Sequence, residues 1–184
     1  MDEIPGPVAV ELVPHRAEWA AMADAKTRRL ERALGAVLIR VHHIGSTAIA
    51  GIKAKPIVDL IPIVTNLDAL DAAKEAVRAL GYRWHGEYGL AGRRYCTFTD
   101  PQTARRIFQL HCYGEGDPQV GRHLAFRDYL RVHPAVAREY EAEKIRAAAA
   151  APHDTNAYND EKNAWIKRAE KAALEWAAIR RPAP

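Results

Sequence analysis

Cysteine is nearly absent: Cys96 and Cys112 are the only two in 184 residues. Two isolated thiols exclude a disulfide framework and a four-ligand zinc motif. They fall in two segments of strand character and read as buried thiols, with cross-strand proximity left open. Cys-x-x-Cys and His-Glu-x-x-His spacings are missing too, which argues against zinc. No run approaches the ~20 apolar residues of a membrane span. The opening Met1-Asp2-Glu3-Ile4-Pro5 lacks the basic-then-apolar order of a secretory leader, so a cytoplasmic, bacterial-type protein is expected. Charge of one sign is not in large excess: 27 basic residues against 23 acidic leave a net +4. That balance permits an anionic ligand. With no interleaving of aromatic and basic residues, it argues against nucleic acid as a partner. Repeats and low-complexity linkers are absent, apart from Ala147 to Ala151, which reads as a helix end.

What is present is an ordinary globular composition, 48% hydrophobic and 27% charged, in a chain long enough to bury a core. One domain over 1–184 is expected. After a short extended entry at Val8 to Val13, Arg16 to Leu34 reads as an amphipathic helix with Trp19, Met22, Ala23, Leu30 and Leu34 on one stripe and Gly35 as its stop. Val37 to Ile44 reads as a strand, with Val37, Ile39, Val41 and His43 facing one way and Leu38, Arg40, His42 and Ile44 the other. Thr47 to Gly51 is expected to form one helical turn. Ile57 to Val64 is rich in β-branched residues and reads as the next strand, bulged or interrupted at Pro62, which has no N–H to donate. A helix from Leu67 to Leu80 follows, capped by Thr65 or Asn66 and ended by Gly81. Arg93 to Thr99 and Arg105 to Tyr113 read as a hairpin joined at Asp100-Pro101-Gln102-Thr103. Helices are expected over about 119–132, 134–150 and 156–179, with Pro134 in a first turn. The order predicts an α+β fold: a small mixed β-sheet flanked by helices over about 8–115, and a helical portion over about 118–180.

The chemistry concentrates in His42-His43-Ile44-Gly45-Ser46-Thr47 and Lys55-Pro56-Ile57-Val58-Asp59. Gly45 lets backbone approach a ligand, and the N–H groups of Ser46 and Thr47 at a helical turn can cradle phosphate. Asp59 opens the next apolar strand, thirteen residues after Ser46. A carboxylate there must be paired, hydrogen-bonded or bound to a metal. Mg²⁺ fits, because it takes one or two carboxylates and fills its shell with phosphate oxygens and water; a salt bridge to Lys55 or Arg40 is the plain alternative. Gln109 and His111 share a strand face with Ile107, opposite to Phe108 and Leu110, and suggest a cleft wall. His111 is a candidate ligand or base. Arg93 and Arg94 are candidate phosphate contacts or exposed strand charges. Arg127 and His123 share a helix face. Tyr158, Glu161, Lys162 and Trp165 recur at helical spacing, either as interhelix packing with a salt bridge or with Lys162 reaching a phosphate.

Several of these stretches, in order, resemble the GrpB (UPF0157) family: 41–51, 55–60, Leu110-His111, 123–131 and 158–166. The resemblance runs from about Val10 to Ile166. It implies the nucleotidyltransferase-fold superfamily, and related domains fused to dephospho-CoA kinase. The superfamily pattern is a Gly-Ser turn, then Asp-x-Asp on the next strand, then a third carboxylate on a later strand. Gly45 and Ser46 match the turn and Asp59 matches the first acid. Ile61 stands at the second position, and Gln109 or His111 in the region of the third. The resemblance therefore implies nucleotidyl transfer from an NTP to a small-molecule acceptor, with catalytic Asp59 and His111 and Mg²⁺ on Asp59. Gly45, Ser46, Thr47, Lys55, Arg94, Arg127 and Lys162 are the nucleotide- or phosphate-binding candidates. The alternative it leaves is a non-catalytic module binding a nucleotide or CoA-like phosphate.

Overall fold

The computed structural model describes residues 10–180. Five strands form one mixed sheet in the order β1-β2-β5-β4-β3: β1 Leu38–Ile44, β2 Val58–Val64, β3 Arg83–Trp84, β4 Arg94–Thr99 and β5 Arg106–Gly114. β2 and β5 run parallel, and every other neighbouring pair is antiparallel. Helices α1 Glu18–Leu34, α2 Leu67–Ala72 and α3 Lys74–Ala79 cover one face, and α4 Pro118–Val132, α5 Pro134–Ala150 and α6 Thr155–Arg180 lie over the other. This is the α+β mixed-sheet fold expected from the sequence. None of the described helices is long and apolar enough to cross a membrane.

Alternation along the strands sorts the two faces. Val58, Leu60, Val64, Phe108, Leu110, Cys96 and Cys112 join Trp19, Ala23, Leu30 and Leu34 of α1 in the main core. Cys96 and Cys112 are buried free thiols. On the other face Ile44, Ile61 and Tyr113 pack against Val120 and Leu124 of α4. Phe126 and Leu130, on a different side of α4, join Ile49, Ile52 and Tyr140, so α4 is wedged between the sheet and its neighbouring helices. The caps are local and readable. Asn66 accepts from the Ala69 N–H (2.8 Å), and Asp117 from the Gln119 N–H ahead of Pro118 (2.8 Å).

Three sequence expectations are corrected in detail. The helix over 67–80 is two helices, because Ala73 leaves helical geometry (φ −92°, ψ 10°). At Pro62 the pairing with β5 lapses, as expected, while Pro62 stays paired with Val41 of β1; the one register shift beside β2 is in β1, between Leu38 and Arg40. The extra residue there puts Leu38 and Val41 on the same core and leaves Ile39 exposed, so the expected alternation holds only beyond it. The helical turn after Gly45 is a single tight one, Ser46–Ala48. The two-residue strand β3 is too short to show any period. In the entry segment, Val13 bridges Ala54; residues 8 and 9 of that segment lie outside the described residues.

Candidate functional site

Asp59 is the second residue of β2, level with Ile44 on β1 and Gln109 on β5. Its neighbours Val58 and Leu60 go into the main core, so parity turns its carboxylate to the face beneath α4–α6. Gly45 follows β1 at φ 71°, ψ −172°, a region open in practice only to glycine. A Cβ there would sit 2.7 Å from Asp59 Oδ2. The other carboxylate oxygen faces His111 Nε2 at 3.3 Å. His111 Nδ1 is buried without a partner. The imidazole thus lies against Asp59 with Nε2 toward the carboxylate.

These residues floor a cleft of about 780 Å³, a volume suited to a small ligand. Gly45, Ser46, Thr47, Lys55, Asp59, Gln109, His111, His123 and Lys162 all line it. Ser46 Oγ donates to Tyr140 Oη (3.3 Å), and Tyr140 stacks on Trp165 of α6 (5.2 Å, 12°), which ties the turn to the helical half. Thr47 is buried, and its hydroxyl is paired with His43 Nε2 (2.9 Å).

Lys55 and Lys162 share one aromatic ring, lying 5.1 and 4.3 Å from the centroid of Tyr158. Neither forms an ion pair with a carboxylate among the described residues. Burial, together with repulsion from Lys55 and Lys144, lowers Lys162 to about 7 against the pull of Asp59. Burial also lowers Lys55, again opposed by Asp59. Arg93 and Arg106 line the same cleft, and Arg106 Nε is buried without a partner. Burial, with the neighbouring guanidinium groups of Arg122 and Arg93, pushes His123 down to about 3. It therefore stands neutral beside His111, ring centroids 6.0 Å apart.

Two predicted phosphate contacts lie elsewhere. Arg94 is held by Asp71 of α2 in two hydrogen bonds (2.7 and 2.6 Å). Strand alternation explains this, since Tyr95 pairs with His111 on the cleft face and Arg94 with Cys112 on the opposite one. The adjacent Arg93 is the one that reaches the cleft. Arg127 donates to the His43 carbonyl (3.0 Å) and to Asp128 (2.7 Å), and so ties α4 to β1. Glu161, flagged with Lys162, pairs with Arg146 (2.8 Å). Sequence reasoning missed Tyr140, which comes from a distant element and shares no motif, and gave no ligand role to Arg106 or Tyr158.

The donor set was tested against two catalytic metal ions. Ile61 points to the Asp59 face but is fully buried against Ile44 and Tyr113. No group of three His, Cys, Asp or Glu side chains able to hold a metal comes together among the described residues. Two ions ~4 Å apart need bridging carboxylates, and the residues present do not fit that arrangement.

Comparison with known proteins places this chain in a family. Residues 9–172 match the family model described as GrpB protein. The UPF0157 protein YqkA of Bacillus subtilis is 41% identical over 167 residues, 91% of this chain and 48% of that protein. A dephospho-CoA kinase of Mycolicibacterium paratuberculosis is 31% identical over 193 residues, 91% of this chain and 47% of the kinase. The chain thus spans about half the length of each of these two relatives. The crystal structure of conserved protein GrpB from Enterococcus faecalis superposes with a TM-score of 0.84 at 34% identity, covering 91% of this chain and 99% of that one. With the match running through β1, β2, β5 and all six helices, this chain belongs to the GrpB family.

Proposed function

We propose that the cleft binds a nucleotide or a related phosphorylated small molecule on a sheet of nucleotidyltransferase type. The observation that carries this is the pairing of two walls. On one, the Gly45-Ser46-Thr47 turn is seated on Asp59. On the other, Lys55 and Lys162 are half-buried over Tyr158 with no carboxylate in ion-pair contact among the described residues. Burying charge without a partner is costly, and a phosphate entering between the walls supplies the missing counter-charge. The N–H groups of Ser46 and Thr47 are the uncharged phosphate donors, and Arg93 and Arg106 add positive potential. A nucleotide ligand and two unpaired thiols fit a reducing cytoplasm.

The second reading is nucleotidyl transfer, favoured by the placement of Asp59 where the first acid of the superfamily pattern falls. A single Mg²⁺ carried in on the phosphates needs only one or two protein carboxylates, and Asp59 is the residue it would meet. In such a transfer an acceptor oxygen attacks the α-phosphorus, pyrophosphate leaves, and the acceptor's proton passes to a base, for which His111, 3.3 Å from Asp59, is the candidate in the cleft.

Thermal-shift measurements over nucleotides and other phosphorylated ligands, with and without Mg²⁺, separate the readings when product is followed by mass spectrometry. Binding alone predicts a stabilising shift without metal and no product. A nucleotidylated acceptor that disappears in a folded Asp59→Ala variant establishes transfer. No shift with any phosphorylated ligand overturns both.

A further inference from the structure

The segment 85–93, between β3 and β4, carries two side chains that phosphate binding does not use. Tyr88 and Leu90 line the cleft yet remain 39% and 50% exposed. Gly86, Gly89 and Gly92 all take positive φ (63°, 77° and 79°), and Tyr88 joins them at 47°, a conformation that is uncommon outside glycine. The loop is nevertheless braced. The buried Arg93 guanidinium donates to the Glu87 carbonyl (3.3 and 3.2 Å) and the Tyr88 carbonyl (2.8 Å). The Glu87 carboxylate accepts from the Gly92 N–H (3.0 Å). Several contacts thus hold an exposed aromatic ring in a strained conformation at the cleft mouth.

That ring begins an aromatic series leading inward. Tyr88 stacks on Tyr95 (5.0 Å, 22°), Tyr95 meets His111 (5.4 Å), and His111 reaches Asp59. The exposed apolar groups lie at the Tyr88 end of this series, and the turn that takes phosphate lies at the Asp59 end. A ligand with a flat apolar ring at one end and phosphate at the other matches that polarity. A sugar phosphate or inorganic polyphosphate leaves Tyr88 and Leu90 uncovered.

We propose that Tyr88 is the stacking platform for the base of a nucleotide whose phosphates lie at Gly45 and Ser46, so that the ligand class is nucleotides and not base-free phosphates. This rests on the phosphate-cleft reading above. Because every base has a π-face, stacking on one ring selects for a base without choosing which.

Isothermal titration of a nucleoside triphosphate and of inorganic tripolyphosphate into the full chain tests it, with Tyr88→Phe and Tyr88→Ala variants checked for folding by circular dichroism. The expected result is tighter binding of the nucleotide than of tripolyphosphate, and unchanged affinities in Tyr88→Phe. In Tyr88→Ala the nucleotide weakens about tenfold while tripolyphosphate is unaffected. Equal losses for both ligands in Tyr88→Ala would mean that the ring serves only the loop, and would overturn the inference. So would an undiminished nucleotide affinity, with phosphate binding left standing. Failure of both ligands to bind the wild-type chain removes the phosphate reading as well.

Discussion

Gly45 and Asp59 define the site by mutual exclusion: the carboxylate occupies the space a side chain at position 45 would need. Gly45→Ala combines a backbone region that is glycine's in practice (φ 71°, ψ −172°) with a contact of 2.7 Å to Oδ2. The variant is expected to lose about 1–3 kcal/mol of stability, read in urea denaturation, and to weaken ligand binding as Asp59 swings from His111. Lys162 makes the opposite prediction. A half-buried ammonium without an ion-pair partner opposes folding, so Lys162→Met should raise the melting temperature of the ligand-free protein by about 2–4 °C and abolish the shift produced by a phosphorylated ligand. A fall in melting temperature would show that the lysine is structurally paired and is not reserved for an anion.

At the scale of elements, α1 shows how much periodicity reveals: its stripe from Trp19 to Leu34 was readable because one face meets one core. The α2–α3 pair shows where periodicity stops, since Leu70 and Val77 still reach that core although the chain breaks at Ala73, and burial pattern alone does not record the break. Asn66 caps α2 through a bond the sequence suggested, and Asn66→Ala should lower stability by about 1 kcal/mol without altering ligand affinity, as judged by denaturation and titration in parallel. The site was half legible. Gly45, Ser46 and Asp59 are close in sequence, in the turn that follows β1 and at the start of β2, so a motif revealed them. Strand parity separates Arg93 from Arg94, but only once the cleft face of β4 is known. Arg106 and Tyr140 join the site through the packing of β5 and α5, for which no short-range pattern exists, whereas Tyr158 stands one helical turn before Lys162 on α6.

For the molecule as a whole, buried neutral bases set the pH response. Burial lowers His43 to about 4 and His123 to about 3, whereas an unfolded histidine titrates near 6.5. Between those values the unfolded chain binds more protons than the folded one. The stability contributed by these two histidines is therefore complete above pH ~6.5 and is lost as pH falls toward 4. Lys144 and Lys162, both lowered to about 7 by burial, act in the same direction on the alkaline side, because their unfolded counterparts keep protons to about pH 10.4. Melting temperature should rise from pH 4 to 7 and continue to rise beyond it, with the alkaline rise shallower in Lys162→Met. An anionic ligand favours the charged lysine, so its affinity should decline as pH rises through 7 and above.

The most direct test of the account is calorimetric titration of a nucleoside triphosphate into the wild-type chain and into a Lys55→Met/Lys162→Met double variant whose fold is confirmed by circular dichroism. The account predicts saturable binding by the wild type, at one site per chain, and its loss in the double variant. Undiminished binding in the double variant, or no binding by the wild type, would contradict the assignment of this cleft to phosphate.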